Sequence, residues 1–211
     1  MATRHNGNVL FSGKPTSSKK WFVDMPLTFD PAYVYFMDDF LRSAIDTTFD
    51  WTVVKDSGAA VAILADTASG WLSMTSAATT DDDGSSIQTN EIYTPVAGRD
   101  IWFRTRIRAQ DTGAIVTAQE ICIGLTVNFS TNPEAMLAAA DRICFQIDDG
   151  NGSILCKTEV GGVETSSDSQ VDIVHATAID LGFHVYGTSL VEFFVNDALV
   201  VSHTAGITAT D

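Results

Sequence analysis

Three arginines spaced two apart, Arg104, Arg106 and Arg108, form the sharpest charged feature of the chain, within "DIWFRTRIRAQ" (100–110). In a strand, alternation puts Ile101, Phe103, Thr105 and Ile107 on one face and Trp102 with the three arginines on the other. Like charges on one strand face repel unless they meet acids. Two uses follow. The arginines pair with acids of adjacent strands, for which Glu120 and Glu192 are the candidates, or they contact an acidic neighbouring subunit. In the second case Arg106→Glu would reduce assembly without unfolding the domain.

Other residues could do other chemistry. Retaining glycoside hydrolysis needs two carboxyl groups about 5 Å apart, one acid and one nucleophile. No Glu-x-Asp-x-Glu occurs, Glu192 stands alone in "VEFF", and "WFRTRIR" offers Arg and Thr where carboxylates would be wanted. Clustered carboxylates beside a Gly turn in "TTDDDG" (79–84) and "DDGNGS" (148–153) suit Ca²⁺. Neither has the spaced Asp-x-Asp-x-Asp-Gly ladder with a distal Glu, and tight loops use the same residues. His175, His184 and His203 are dispersed, with no local Ser-His-Asp or Cys-His arrangement. No catalytic residue, metal or cofactor is therefore expected. Trp71, Trp102 and Tyr186 are candidates for stacking on a sugar, although most strand aromatics belong to a core.

The cysteines Cys122, Cys144 and Cys156 are odd in number and match no zinc spacing. A two-residue Asn151-Gly152 turn in "ICFQIDDGNGSILCK" would pair Ile147 with Cys156 and Cys144 with Glu159. Cys144 and Cys156 would then face opposite sides of the sheet. Free thiols are expected, with Cys122 and Cys156 as small core hydrophobes.

The chain that positions these groups has 211 residues and 45% hydrophobic content. A chain of this size buries roughly 70% of its unfolded surface, enough for one large core. Its longest aliphatic run, Ala59 to Ala65, is too short for a bilayer, which needs about 20 apolar residues. The start "MATRHNGNVLF" lacks the apolar region of a secretory signal, so synthesis and residence in a cytosol are expected. The formal charge of −15 argues against a nucleic-acid surface. That charge divides into +4 over residues 1 to 23 and −19 over the rest, because Arg4, Lys14, Lys19 and Lys20 all precede the first acid, Asp24.

Residues 1–30 are rich in Gly, Ser, Thr and Lys, with apolar islands at Val9, Leu10, Phe11 and at Trp21, Phe22, Val23. They read as an extended basic arm that docks on something acidic, with Lys14, Lys19 and Lys20 supplying charge. Residues 31–211 read as one β domain. "DDFLRS…FDWTVV" would be its first strand and a bend burying Phe40, Phe49 and Trp51. Strands follow at "AAVAILA", "WLSMTS", "SSIQTNEIY", "DIWFRTRIRAQ", "QEICIGLTV", "RICFQIDD", "SILCKTEV", "AIDLGFHVYG", "LVEFFVND" and "ALVVSH". "NPEAMLAAAD" (132–141) is a short helical turn, with Asn132 as N-cap and Pro133 at the first position. "GGVETSSDSQV" (161–171) reads as a polar loop. Ten to twelve short strands without a long amphipathic helix predict an antiparallel β-sandwich or jelly roll.

The order "WLSMTS", "DIWFRTRIRAQD", "ICIGL", "RICFQIDDG", "LGFHVYGTSLVEFFVNDALV" resembles the concanavalin A-like jelly roll, over roughly residues 36 to 205. That group includes legume lectins, laminin-G-like domains and several glucanases. Phrases such as "WTVVKDSGAAVAI", "SGWLSMTSAATTDDDGSSIQTNE" and "GRDIWFRTRIRAQD" are also similar to structural proteins of tailed-bacteriophage virions. This second resemblance implies a non-enzymatic capsid decoration (cement) protein. It would be made in the host cytoplasm, sit on the outer capsid surface, and bind the major capsid protein and copies of itself. The alternative is a lectin-like module that binds a glycan for attachment to a cell surface. Jelly rolls of this type end with a further strand beside the first, whereas here "HTAGITATD" follows the last hairpin directly. A very short strand, the N-terminal segment or a neighbouring copy is expected to fill that edge.

Overall fold

The structure, a computed structural model, describes residues 36, 38–41, 43–48, 50–64, 70–76, 84–89, 93–110, 119–127, 132–148 and 150–207. The arm residues Val9, Leu10, Phe11, Lys14, Lys19, Lys20, Trp21 and Phe22, and also Phe49, lie outside them. Among the described residues the chain forms twelve strands. These are β1 (Thr52–Lys55), β2 (Ala60–Ile63), β3 (Leu72–Thr75), β4 (Ser85–Gln88), β5 (Asp100–Ile107), β6 (Ile121–Thr126), β7 (Arg142–Ile147), β8 (Ser153–Val160), β9 (Val163–Asp172), β10 (Ile179–Tyr186), β11 (Leu190–Val195) and β12 (Ala198–His203). All pairings between them are antiparallel.

Period-two alternation sorts these strands into two four-stranded sheets that share one core. The first runs β12-β11-β10-β5 and the second β6-β7-β8-β9. Phe103, Phe183 and Phe193 lie in register across β5, β10 and β11 on the inner face of the first sheet. Phe103 stacks on Phe183 with centroids 4.7 Å apart. Phe145 of the second sheet meets Phe193 edge-on at 5.3 Å, which joins the two faces. Phe145, Phe183 and Phe193 are fully buried, among Ile143, Ile147, Ile154, Leu181, Val185 and Val191. Fully burying each such side chain contributes about 1.5–3 kcal/mol. Strands β1 and β4, and β2 and β3, form two separate two-stranded ribbons.

Tight turns set the registers. Asn196 and Asp197 both have positive φ, 50° and 65°, and join β11 to β12 as expected for a two-residue hairpin. Gly161 and Gly162, with φ of 58° and 77°, do the same between β8 and β9. This corrects the polar-loop reading of 161–171, since Val163–Asp172 is a ten-residue strand, longer than any other among the described residues. Its outward residues are Ser, Glu, Asp and Gln, so it carries little hydrophobic signal. It lies at a sheet edge, where polar residues are tolerated.

Three further expectations change. The β7–β8 loop is longer than two residues, and Phe145, not Ile147, stands opposite Cys156, while Lys157, not Glu159, stands opposite Cys144. The shift is even, so Cys144 and Cys156 still face opposite sides. "DDFLRS" does not begin a strand, because Asp38 Oδ1 accepts the Phe40 N–H at 2.8 Å and Phe40 adopts φ 50°. Phe40 and Trp51 are half-buried there and meet at 5.7 Å, and exposed Phe36 adds an edge-on contact to Trp51 at 5.1 Å. The helical turn in 132–141 is a 3-10 turn at Ala135–Ala138 whose N-cap is Glu134, not Asn132, and Asn132 instead accepts the Glu134 N–H at 2.9 Å before the turn begins.

The far side of the last hairpin meets its own molecule. His203 Nε2 lies 3.0 Å from Ser167 Oγ of β9, so β12 and β9 converge along one side of the core. The chain then crosses β8: Gly206 packs on the Thr158 backbone and Ile207 enters the core.

Candidate functional site

The outer face of the first sheet carries the arginine stripe. Arg106 stands opposite Asp180, and Arg104 stands opposite Gly182, which has no side chain. Arg104 therefore reaches along the strand and donates to Asp180 at 3.3 Å, and also pairs with Asp197 at 3.3 Å. Arg106 is 3.7 Å from the same Asp180 and its side chain is 65% exposed. Arg108 lies over the Trp71 ring, 5.1 Å from its centre. Asp180 and Asp197, rather than Glu120 or Glu192, are thus the partners. Glu120 precedes β6 of the other sheet, and Glu192 accepts the Tyr186 hydroxyl at 2.8 Å.

The candidate sugar-stacking rings are engaged on this same face. His184, 3% exposed, lies between Trp102 at 4.5 Å and Tyr186 at 3.7 Å. Its Nε2 is 3.2 Å from Asp100 Oδ2. Trp71, Trp102 and Tyr186 are half-buried. The face therefore presents an exposed cation beside a stack of aromatic rings edged by Asp100 and Glu192.

The outer face of the second sheet holds a polar cluster that the sequence reading did not single out. Every residue of β7 is buried, although alternate ones are polar or cysteine. Arg142 Nε–H donates to Glu159 at 2.8 Å and its other nitrogens to Glu164 at 2.7 Å, Gln146 at 3.1 Å and the Met136 carbonyl at 3.3 Å. It also donates to the Leu137 carbonyl. The Ala135–Ala138 turn is thereby folded back over β6 and β7. Lys157 pairs with Glu164 at 3.4 Å and lies 3.9 Å from Asp148. The signal was the alternation Arg-x-Cys-x-Gln in "RICFQ"; the two-residue register error hid that Lys157 joins it.

Cysteine chemistry follows from these placements. All three thiols are free, as expected. Cys156 is core, and burial pushes its pKa up to about 12. Cys122 corrects the core expectation: Ile121, Ile123 and Leu125 take the inner face of β6, which leaves Cys122 partly exposed on the outer one. There the neighbouring Cys144 thiol lowers its pKa against the opposing effect of burial, and Arg142 and Lys157 lower it further while Asp148 raises it. The Cys144 thiol is pushed well up by the neighbouring Cys122 thiol and by burial.

Of the two acidic stretches, residues 79–83 lie outside the described residues. In the other, Asn151 Oδ1 accepts the Ser153 N–H at 3.0 Å and Asp148 accepts from Gln146 at 2.6 Å, which is turn and network chemistry. Among the described residues no group of three or more His, Cys, Asp or Glu is placed to hold a metal ion. Among them, too, no helix is long and apolar enough to cross a membrane. No protein-family model matches the chain, and neither a curated protein nor a solved structure matches it.

Proposed function

We propose that the chain is a non-enzymatic structural protein of a tailed-phage virion, a decoration or cement protein on the outer capsid surface. Its body is a concanavalin A-like jelly roll and residues 1–30 are its docking arm. The observation that carries this reading is the division of charge, +4 over residues 1 to 23 against −19 over the remainder. A basic arm with apolar islands suits an acidic neighbour, either the major capsid protein or the body of another copy. Arg106, largely exposed on the outer face of β5, adds a second cationic contact. Many copies on a particle multiply a weak contact through avidity. The acidic body is repelled by packaged nucleic acid, in keeping with an outer location and host-cytoplasmic synthesis.

The test compares co-sedimentation of the full chain with assembled particles against that of a chain lacking residues 1–23. Loss of association on deletion supports the reading, and equal association of both forms overturns the arm's role. Arg106→Glu, with Arg106→Gln as a control for charge loss alone, tests the body contact.

The second reading is a glycan-binding module. The Trp102–His184–Tyr186 stack, edged by Asp100 and Glu192, favours it, since aromatic rings beside carboxylates suit sugars. A glycan array distinguishes the two: binding that is lost on Trp102→Ala supports the module, whatever happens to residues 1–23.

A further inference from the structure

Cys122 and Cys144 occupy one face of adjacent strands. The register places Cys122 opposite Gln146 and Gly124 opposite Cys144, so the two cysteines are diagonal neighbours. A Cβ at Gly124 would lie 2.2 Å from the Ile143 carbonyl and 3.0 Å from Cys144 Cβ. The glycine thus leaves free the space beside Cys144 that a side chain would fill. Cys144 is 1% exposed, whereas Cys122 is partly exposed. Two buried cations, Arg142 and Lys157, share the face. Of the pair, Cys122 is the less buried, with its thiol beside the Met136 carbonyl of the covering turn, and nearby positive charge favours its thiolate.

We propose that Cys122 and Cys144 form a redox-responsive dithiol, which hydrogen peroxide or an organic hydroperoxide converts to a Cys122–Cys144 disulfide. The Cys122 thiolate attacks a peroxide oxygen, the O–O bond breaks, and a sulfenic acid forms with loss of water or alcohol. Cys144 sulfur then attacks the Cys122 sulfur, its proton leaves, and the hydroxyl departs as water. Two thiols and one hydrogen peroxide give one disulfide and two waters. The lowered pKa of Cys122 and the raised pKa of Cys144 match the roles of attacking and resolving thiol. Cys156, on the other face, stands outside the reaction.

Diagonal strand neighbours have Cα atoms about 7–8 Å apart, whereas disulfides span about 4.4–6.8 Å. Closing the bond draws β6, an edge strand among those described, toward β7. A bond closed against that geometry is readily reduced, so the modification is reversible by a dithiol reductant. Oxidation also removes the Cys122 contact with the Met136 carbonyl, 3.9 Å in the thiol form, which helps to hold the Ala135–Ala138 turn.

The experiment treats the purified full chain with one equivalent of hydrogen peroxide at pH 8. Thiols are then counted after denaturation, and disulfide-linked peptides are mapped by mass spectrometry. The expected result is a fall from three thiols to one, a Cys122–Cys144 cross-linked peptide, and recovery of all thiols with dithiothreitol. Before oxidation, Cys122 should alkylate with iodoacetamide at least about tenfold faster than Cys156. In Cys144→Ser, Cys122 should stop at the sulfenic acid with one equivalent of peroxide and over-oxidise to the sulfinic acid with a second, instead of forming the internal bond. Retention of all three thiols, a cross-link through Cys156, or equal alkylation of Cys122 and Cys156 would overturn the proposal. The measurements on the unaltered chain hold even where a serine variant fails to fold.

Discussion

Thr158 of the second sheet and His203 of the first meet in a buried hydrogen bond, Oγ1 to Nδ1, 3.0 Å long. The Thr158 hydroxyl donates its proton to the Ala205 carbonyl at 2.8 Å. Its oxygen therefore accepts from His203, which fixes the Nδ1–H tautomer and leaves Nε2 to accept from Ser167. One imidazole links β8, β9 and β12 and pins the chain beyond the last hairpin. Thr158→Val keeps the shape and removes the hydroxyl, leaving the His203 N–H and the Ala205 carbonyl without this partner. A loss of about 1–3 kcal/mol is expected, read from the urea midpoint.

The same imidazole makes stability depend on pH. Burial holds the His203 pKa below its ordinary value, so the unfolded chain binds the proton more readily. The contribution of neutral His203 is complete above about pH 6.5, the unfolded value, and is lost as pH falls through the lower folded value. Stability measured between pH 7.5 and 5 should therefore decline. The part due to this residue cannot exceed about 1.4 kcal/mol per pH unit. His203→Gln, which does not titrate, should show a shallower decline, and an unchanged slope would assign the pH dependence to other groups.

The arrangement of strands was readable because apolar and polar residues alternate in β5, β10 and β11, and because Asn196-Asp197 marks the hairpin. β9 was hidden because both of its faces are mainly polar, and only the Gly161-Gly162 turn announced it. The partners of Arg104 were hidden because they depend on register: Asp180 reaches it only because Gly182 leaves the opposite position empty. The Arg142 cluster was hidden for the same reason, since a slip of two residues moves Lys157 away from Cys144. Sequence pattern specifies which face a residue takes, whereas side-chain partners require the register as well.

Arg142 should be the most sensitive charged position of the body. Its side chain is 6% exposed and bridges Glu159 and Glu164 through separate nitrogens while holding two carbonyls of the covering turn. Arg142→Ala leaves Glu159 buried without its cation, and a loss of about 3–5 kcal/mol is expected. Lysine keeps the charge but not the planar fork, so Arg142→Lys should recover less than half of that loss. Equal stability of Arg142→Lys and the unaltered chain in urea would show that charge alone matters here.

The arginine stripe should behave in the opposite way. Arg104 is 34% exposed and pairs with Asp180 and Asp197 in partly solvated surroundings. Such pairs contribute about 0–1 kcal/mol, and Arg104→Ala should fall in that range. Arg106 is more exposed and farther from Asp180, so Arg106→Gln should change stability by less than about 0.5 kcal/mol. Arg106→Glu sets a carboxylate opposite Asp180, which adds a repulsion of up to about 1 kcal/mol. A salt titration separates these effects: the Arg106→Glu penalty should shrink from 0.05 to 1 M NaCl as the screening length falls from about 14 Å to about 3 Å. If Arg106→Gln instead costs as much as Arg142→Ala, then Arg106 is part of the fold, and its availability for a partner is refuted.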